Sequence, residues 1–304
     1  VVRAVVSGIT GHVGQELARQ LVAAGVEVHG ISRARSAFRE LEEMGVRNHQ
    51  IDGRTETLIA LFEDVQPDVV FHLAALARRE HLSADVTPFI NANILLGTQL
   101  LEASKLSGCG RFVTAGSYLQ HGESGDYRPF NLYAATKQAF ENVLAFYVDA
   151  FEFAAVVLTL CNIYSEHDPR RTLLTDIAAA STGKPLRLHA AEAWVDLVHV
   201  EDVAAAFMHV MTLLDDNVIH AGTLSKYSVS SGREITAREL VALFERIDHR
   251  TIEIQTGERP YPARRVKPWS GTRVPGWEPR VSLEAGIQRL LEAQTGRGCT
   301  MEKA

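Results

Sequence analysis

Along the first half of the chain, short apolar runs alternate with longer segments in which apolar residues recur every three or four positions. The runs predict strands at Arg3 to Val6, Val26 to Ile31, Val69 to Leu73, Arg111 to Thr114 and Ala155 to Leu160. The periodic segments predict helices near Val13 to Ala24, Ala37 to Met44, Glu56 to Val65, Phe89 to Ser107 and Leu132 to Phe151. Strands that are apolar throughout rather than at alternate positions are buried on both faces, so the pattern implies an α/β protein with a doubly wound parallel sheet.

From about Thr172 the rhythm shortens. Helices are expected over Leu173 to Ser181, Glu201 to Leu214, Thr236 to Ile247 and Leu283 to Leu291, and strands over Pro185 to His189, Leu197 to Val200, Tyr227 to Ser230 and Thr251 to Gln255. The proline-rich stretch Gly257 to Pro279 reads as loop. The expected organisation is a sheet domain over residues 1–171 and a smaller mixed α/β substrate-binding lobe over 172–304, with some segments returning to the sheet domain.

Composition narrows the class of partner. Of the 304 residues, 46% are hydrophobic and 22% charged, as in globular domains. A formal net charge of -6 with mixed signs offers no basic face for nucleic acid or anionic lipid. No apolar run reaches the roughly 18 residues of a spanning helix, and the apolar start turns into a glycine-rich loop too soon for a signal peptide, so a soluble, cytoplasmic protein is expected. The three cysteines, Cys109, Cys161 and Cys299, are widely spaced with no histidine at ligand spacing, indicating neither a disulfide framework nor a metal site. A small molecule is the expected ligand.

Between the first strand and the first helix stands Ser7-Gly8-Ile9-Thr10-Gly11-His12-Val13-Gly14, three glycines at three-residue spacing. Gly8 and Gly11 suit a tight turn whose N–H groups face a pyrophosphate at the positive end of the helix, and Gly14 lets the helix pack on the sheet. The second strand ends in Ser32-Arg33-Ala34-Arg35, without the carboxylate that would bind the ribose diol of NAD. Ser32, Arg33 and Arg35 offer donors for a 2′-phosphate, which favours NADP(H) over NAD(H), although arginines in such a loop also simply solvate it. Asp52 beside Gly53 suits either a contact to the adenine amino group or turn formation.

Tyr133 and Lys137 are four apart on a predicted helix and share a face, where an ammonium would lower the phenol from its usual value of about 10. With the phosphate loop, Phe71-His72-Leu73-Ala74-Ala75, Tyr133-Ala134-Ala135-Thr136-Lys137, Leu197-Val198-His199-Val200-Glu201-Asp202-Val203 and the late Gly276-Trp277-Glu278-Pro279, the chain resembles the extended short-chain dehydrogenase/reductase family. The resemblance implies a Rossmann-type fold and a catalytic set of Ser117, Tyr133 and Lys137. It also implies cofactor contacts from Gly8, Thr10, Gly11, His12, Val13, Gly14, Leu73, Ala74, Ala75 and Asn93, besides Tyr133 and Lys137. Substrate would meet Ser117, Tyr118, His121 and Asn162, and family members often form homodimers by packing the Phe89 and Tyr133 helices together. His121 stands where the family has a tyrosine, and reads equally as a pocket residue or an exposed loop histidine. Asn162 matches a pocket asparagine, though an isolated Asn is also a common cap. Trp194, Trp269 and Trp277 read as packing rather than stacking platforms.

The loop Gln120-His121, the run Asn91 to Gln99 and the segment Tyr127 to Tyr133 are similar to those of bacterial reductases of nucleotide-linked 4-keto-6-deoxyhexoses. Dehydratases of the family carry an Asp-Glu pair where this chain has Tyr118 and Leu119, and epimerases usually keep the ribose-binding acid. Val195 replaces an arginine that in many members contacts substrate phosphate. The expected activity is NADPH-dependent reduction of a nucleotide-sugar ketone. An epimerase is the rival enzyme and an NADP(H)-binding sensor the non-catalytic rival.

Overall fold

A computed structural model describes all residues except 34–38, 123–124, 169, 181–184, 189–190, 257–270 and 302–304, with backbone alone over 295–301. Seven strands form one sheet: β1 (Arg3–Ser7), β2 (Glu27–Ser32), β3 (Arg47–Gln50), β4 (Val69–His72), β5 (Arg111–Ser117), β6 (Ala154–Leu160) and β10 (Thr223–Val229). All pairings are parallel, in the order β10-β6-β5-β4-β1-β2-β3. The strand order reverses between β1 and β4, which opens a crevice at their carboxyl ends, the ligand position of such sheets.

Both faces of the sheet are covered. On one, Ala4 and Val6 of β1 and Val156 and Leu158 of β6 pack with α1 (His12–Ala23) and α8 (Val200–Asp215). On the other, Val5, Ala155 and Val157 join Leu58 and Phe62 of α3 (Thr55–Val65), Leu100 and Leu101 of α5 (Leu96–Ser107) and Phe140 and Leu144 of α6 (Leu132–Phe151). Neighbouring residues of one strand thus feed opposite cores, the physical origin of the unbroken apolar runs. The edge strand β3, of sequence Arg-Asn-His-Gln, has no apolar run and no range was expected for it.

The smaller lobe holds a mixed sheet of β11 (Glu234–Thr236), β9 (Trp194–His199) and β7 (Asn162–Tyr164), and a parallel pair of β12 (Ile254–Thr256) with β8 (Leu186–Leu188). α7 (Leu173–Ala180), α9 (Ala237–Asp248) and α10 (Leu283–Met301) enclose a third core around Ile177, Phe244 and Ile287. Reciprocal hydrogen bonds between Thr236 and Glu239 cap α9. α8 and β10 return to the large sheet, while β7 already belongs to the mixed one. Three- and four-residue strands such as β7 and β11 carry too little periodicity to be read from sequence.

The helix expected from Phe89 to Ser107 is one continuous rod in three parts, α4 (Val86–Ile90), a π-helical turn (Asn91–Leu95) and α5. α2 (Arg39–Glu43) ends one residue before the expected Met44, and the residues at its predicted start lie outside those described, as do Arg35, Trp269 and most of the proline-rich segment. Cys109 and Cys161 are buried, and burial pushes the Cys109 thiol up to about 11. No helix among the described residues is long and apolar enough to cross a membrane.

Candidate active site

β1 delivers Gly8 to the crevice with φ at +72°, and a methyl group there would lie 2.5 Å from the Ala74 backbone nitrogen. The loop after β4 therefore closes on a glycine that no other residue replaces without strain. Gly11 N donates to the Gly8 carbonyl at 2.9 Å, completing the turn, and Gly11 is the N-cap of α1 with no side-chain cap. Gly14 packs against that loop rather than against the sheet: the space of its missing side chain is filled by the Gly8 carbonyl and Ile9. A glycine cradle at the switch point, opening onto the uncapped amino end of a helix with no acidic residue in its first turn, fits a dinucleotide pyrophosphate. Leu73 and Ala74 line this turn, their N–H groups 3.0 Å from the Ser7 carbonyl and 3.4 Å from the Ser7 hydroxyl, and Ala75 follows in the open.

At the end of β2, Ser32 is half-buried and Arg33 exposed, with the Arg33 carbonyl accepting from Gln50 at 3.2 Å. Asp52 closes a turn onto Arg54, accepting from its backbone N–H at 3.0 Å and its Nε at 2.6 Å, and these bonds hold the carboxyl down at about 2. Gly53 follows with φ at +86°. Turn chemistry thus accounts for both residues.

Ser117 ends β5, three residues beyond the strand expected from the pattern, and its hydroxyl accepts from Leu119 N at 3.3 Å. Tyr133 lies in the first turn of α6, which Asn131 caps by accepting from Ala134 N at 3.0 Å. The Ser117 hydroxyl lies close enough to the Tyr133 phenol to pull its pKa down, so strand end and helix start meet in space across fifteen residues of sequence. Lys137, one turn on, is 2% exposed, and burial lowers its ammonium to about 8 against the pull of Glu141. The expected lowering of Tyr133 is not what the site shows. Burial raises the phenol, outweighing the downward contributions of Ser117 and of Arg170.

Asn93 sits in the π-helical turn, fully buried, and knits the site together. Its amide accepts from Leu76 N at 2.7 Å and donates to the Leu76 carbonyl at 3.1 Å and to Thr136 Oγ1 at 2.8 Å, while Thr136 donates to the Tyr133 carbonyl at 2.8 Å. Its polar groups are thus engaged between the β4 loop and the first turn of α6. Tyr118 donates to Asn162 Oδ1 at 3.1 Å, which places Asn162 at the start of β7 rather than at a cap. His121 is buried, not exposed, with Nδ1 2.9 Å from the Gly125 carbonyl, and burial lowers its pKa. Val195 is half-buried against the lobe core. Trp277 packs in the sheet-domain core, whereas Trp194 is 41% exposed and does not pack as expected, because it begins β9 at a sheet end.

One cluster carries no signal in the sequence. Asp168 takes a bidentate pair from Arg170 at 2.8 and 2.6 Å and lies 3.9 Å from His12 Nε2. It joins the loop after β7 to the phosphate loop, and burial lowers the His12 pKa there. Residues at positions 12 and 168 share no local pattern, so only the fold makes them neighbours.

The chain is 25% identical over 257 residues to CDP-abequose synthase of Yersinia pseudotuberculosis, covering 84% of this chain and 88% of that protein. With UDP-glucose 4-epimerase of Mycolicibacterium smegmatis it shares 26% identity over 321 residues, 95% of this chain and 97% of the relative. The crystal structure of Thermus thermophilus UDP-glucose 4-epimerase in complex with NAD superimposes with a TM-score of 0.80 at 26% identity, covering 97% of this chain and 99% of that one. A family model, NAD dependent epimerase/dehydratase, matches residues 4–222, from the first strand through the phosphate loop and the Tyr133–Lys137 helix to the edge of β10, and the chain therefore belongs to that family.

Proposed function

We propose that the protein reduces the C4 ketone of a nucleoside-diphosphate 4-keto-6-deoxyhexose, using NADPH in preference to NADH. The observation that carries this reading is the closeness of the Ser117 hydroxyl to the Tyr133 phenol, one turn from buried Lys137, with Tyr118 and Leu119 where a dehydratase would need an acid and a base. The likeness to CDP-abequose synthase agrees with it.

The Gly8 cradle, the amino end of α1, Ser32 and Arg33 would hold the dinucleotide, which when bound supplies the hydride. Ser117 donates to the substrate carbonyl and fixes it beside Tyr133. The phenol, kept protonated by burial, passes its proton to the oxygen as the alkoxide forms, and the Lys137 ammonium draws electron density toward that side of the site. Residues 1–171 serve as the dinucleotide domain and 172–304 as the substrate lobe, apart from segments such as α8 and β10 that return to the large sheet, with Asn162 and His121 at their junction. Exposed Val86, Ile90 and Leu95 on one helix and Phe146 and Phe151 on α6 support a homodimer joined through these helices, which we place in the cytoplasm.

A second reading, nucleotide-sugar 4-epimerase, is favoured by the near-complete overlap with UDP-glucose 4-epimerases, one of them holding NAD. The test is NADPH and NADH consumption against a panel of nucleotide-linked 4-keto-6-deoxy sugars. Stoichiometric conversion to one 4-hydroxy configuration supports the reductase. Retention of NAD through gel filtration, with interconversion of two 4-hydroxy epimers and no net cofactor use, establishes the epimerase. Cofactor binding with neither activity leaves the sensor.

A further inference from the structure

From Ser117 a chain of polar groups runs through buried Gln120 and Glu141 to the edge strand of the sheet. Ser117 N donates to Gln120 Oε1 at 2.7 Å. Gln120 Nε2 donates to Glu141 Oε1 at 2.7 Å and to Gln138 Oε1 at 3.0 Å, and Lys226 Nζ of β10 donates to Glu141 Oε2 at 2.9 Å. Gln120 and Glu141 are buried, so each oxygen and nitrogen here must be matched or its desolvation is uncompensated. Gly116 makes the approach possible: a methyl group there would lie 3.2 Å from Glu141 Oε1 and 3.3 Å from Gln120 Oε1. Glu141 is also one helical turn beyond Lys137, on the same face.

We propose that Lys226, acting through Glu141 and Gln120, is a positioning residue for the active site: it anchors the carboxylate that both fixes the Ser117 backbone and balances the Lys137 ammonium. This rests on the reading of Ser117, Tyr133 and Lys137 as catalytic. Among the described residues, the charged and titratable groups facing Glu141 are Lys226 from β10, His121 from the segment after β5 and Lys137 from α6 itself, and those facing Lys137 are His72 from β4, with Tyr133 and Glu141 one turn either side on α6. Loss of the Lys226 ammonium leaves Glu141 bonded to Gln120 alone on that side, free to turn toward Lys137 and release the amide that holds Ser117. An arginine at 226 can restore the anchor, and a methionine of similar length cannot.

The experiment has two arms. In steady-state assays, Lys226→Met should lower kcat about tenfold with KM within about twofold of the parent, and Lys226→Arg should recover most of that loss. In protein carrying carbon-13 lysine, the Lys137 ε-carbon titration should move to lower pH by about one unit in Glu141→Gln, since the carboxylate that favours the ammonium is gone. The second arm needs neither substrate nor cofactor. If the parent protein turns over no nucleotide-linked sugar, the functional reading fails while the titration still decides the relay. An unmoved Lys137 titration overturns the proposal, as does a Lys226→Met kcat equal to the parent's or a loss that Lys226→Arg leaves unrepaired.

Discussion

Replacing Lys137 by methionine should stabilise the fold while removing turnover. The ammonium is held in a site where burial brings it from 10.5 to about 8, so keeping it charged in the folded protein costs about 3 kcal/mol at neutral pH relative to the unfolded chain. Because the folded value is the lower one, the cost is fully present below about pH 8 and disappears as pH rises through the unfolded value; about half of it remains near pH 9.5. Methionine fills the same volume without the charge. Glu141 keeps Lys226 and Gln120 as partners, so the substitution strands no carboxylate. Urea unfolding of parent and variant near pH 7 and near pH 9.5 measures the effect: the variant should lead by about 3 kcal/mol at the first pH and by about half of that at the second. A variant less stable than the parent at pH 7, or a lead that does not change between the two, would refute the account of Lys137 as a destabilised, functionally retained charge.

Tyr133→Phe should lower kcat about a hundredfold or more with NADPH affinity almost unchanged, since only the proton donor is lost; isothermal titration alongside turnover checks both halves. Arg33→Ala should narrow the NADPH over NADH preference by about 1 to 3 kcal/mol, read from the two dissociation constants, and equal constants in the parent protein would remove the basis for it. Gly8→Ala should abolish dinucleotide binding, because the positive φ and the Ala74 backbone nitrogen at 2.5 Å leave no room for a Cβ; retained cofactor fluorescence quenching would contradict this.

Period and punctuation in the chain determined the parallel sheet, since strands buried on both faces must be apolar at every position and the helices between them must present one stripe. They also determined the phosphate loop, whose glycines answer a purely local demand, and placed Tyr133 and Lys137 on one helical face. Edge and lobe strands of three or four residues, such as β3, β7 and β11, owe their conformation to a neighbouring strand and were legible only in part. The π-helical turn around Asn93 likewise depends on Leu76 and Thr136, which only folding brings to it. The same division holds inside the site. The residue types of Ser117, Tyr133 and Lys137 were readable, but the sign of the Tyr133 shift was not, because desolvation is a property of everything packed around the phenol rather than of its neighbours in sequence. Position 226 carries no motif, and Lys226 meets Glu141 across 85 residues because β10 pairs with β6 beside α6. Sequence determines what each segment can do locally, whereas which charges share a low-dielectric space is decided by the order in which the strands assemble.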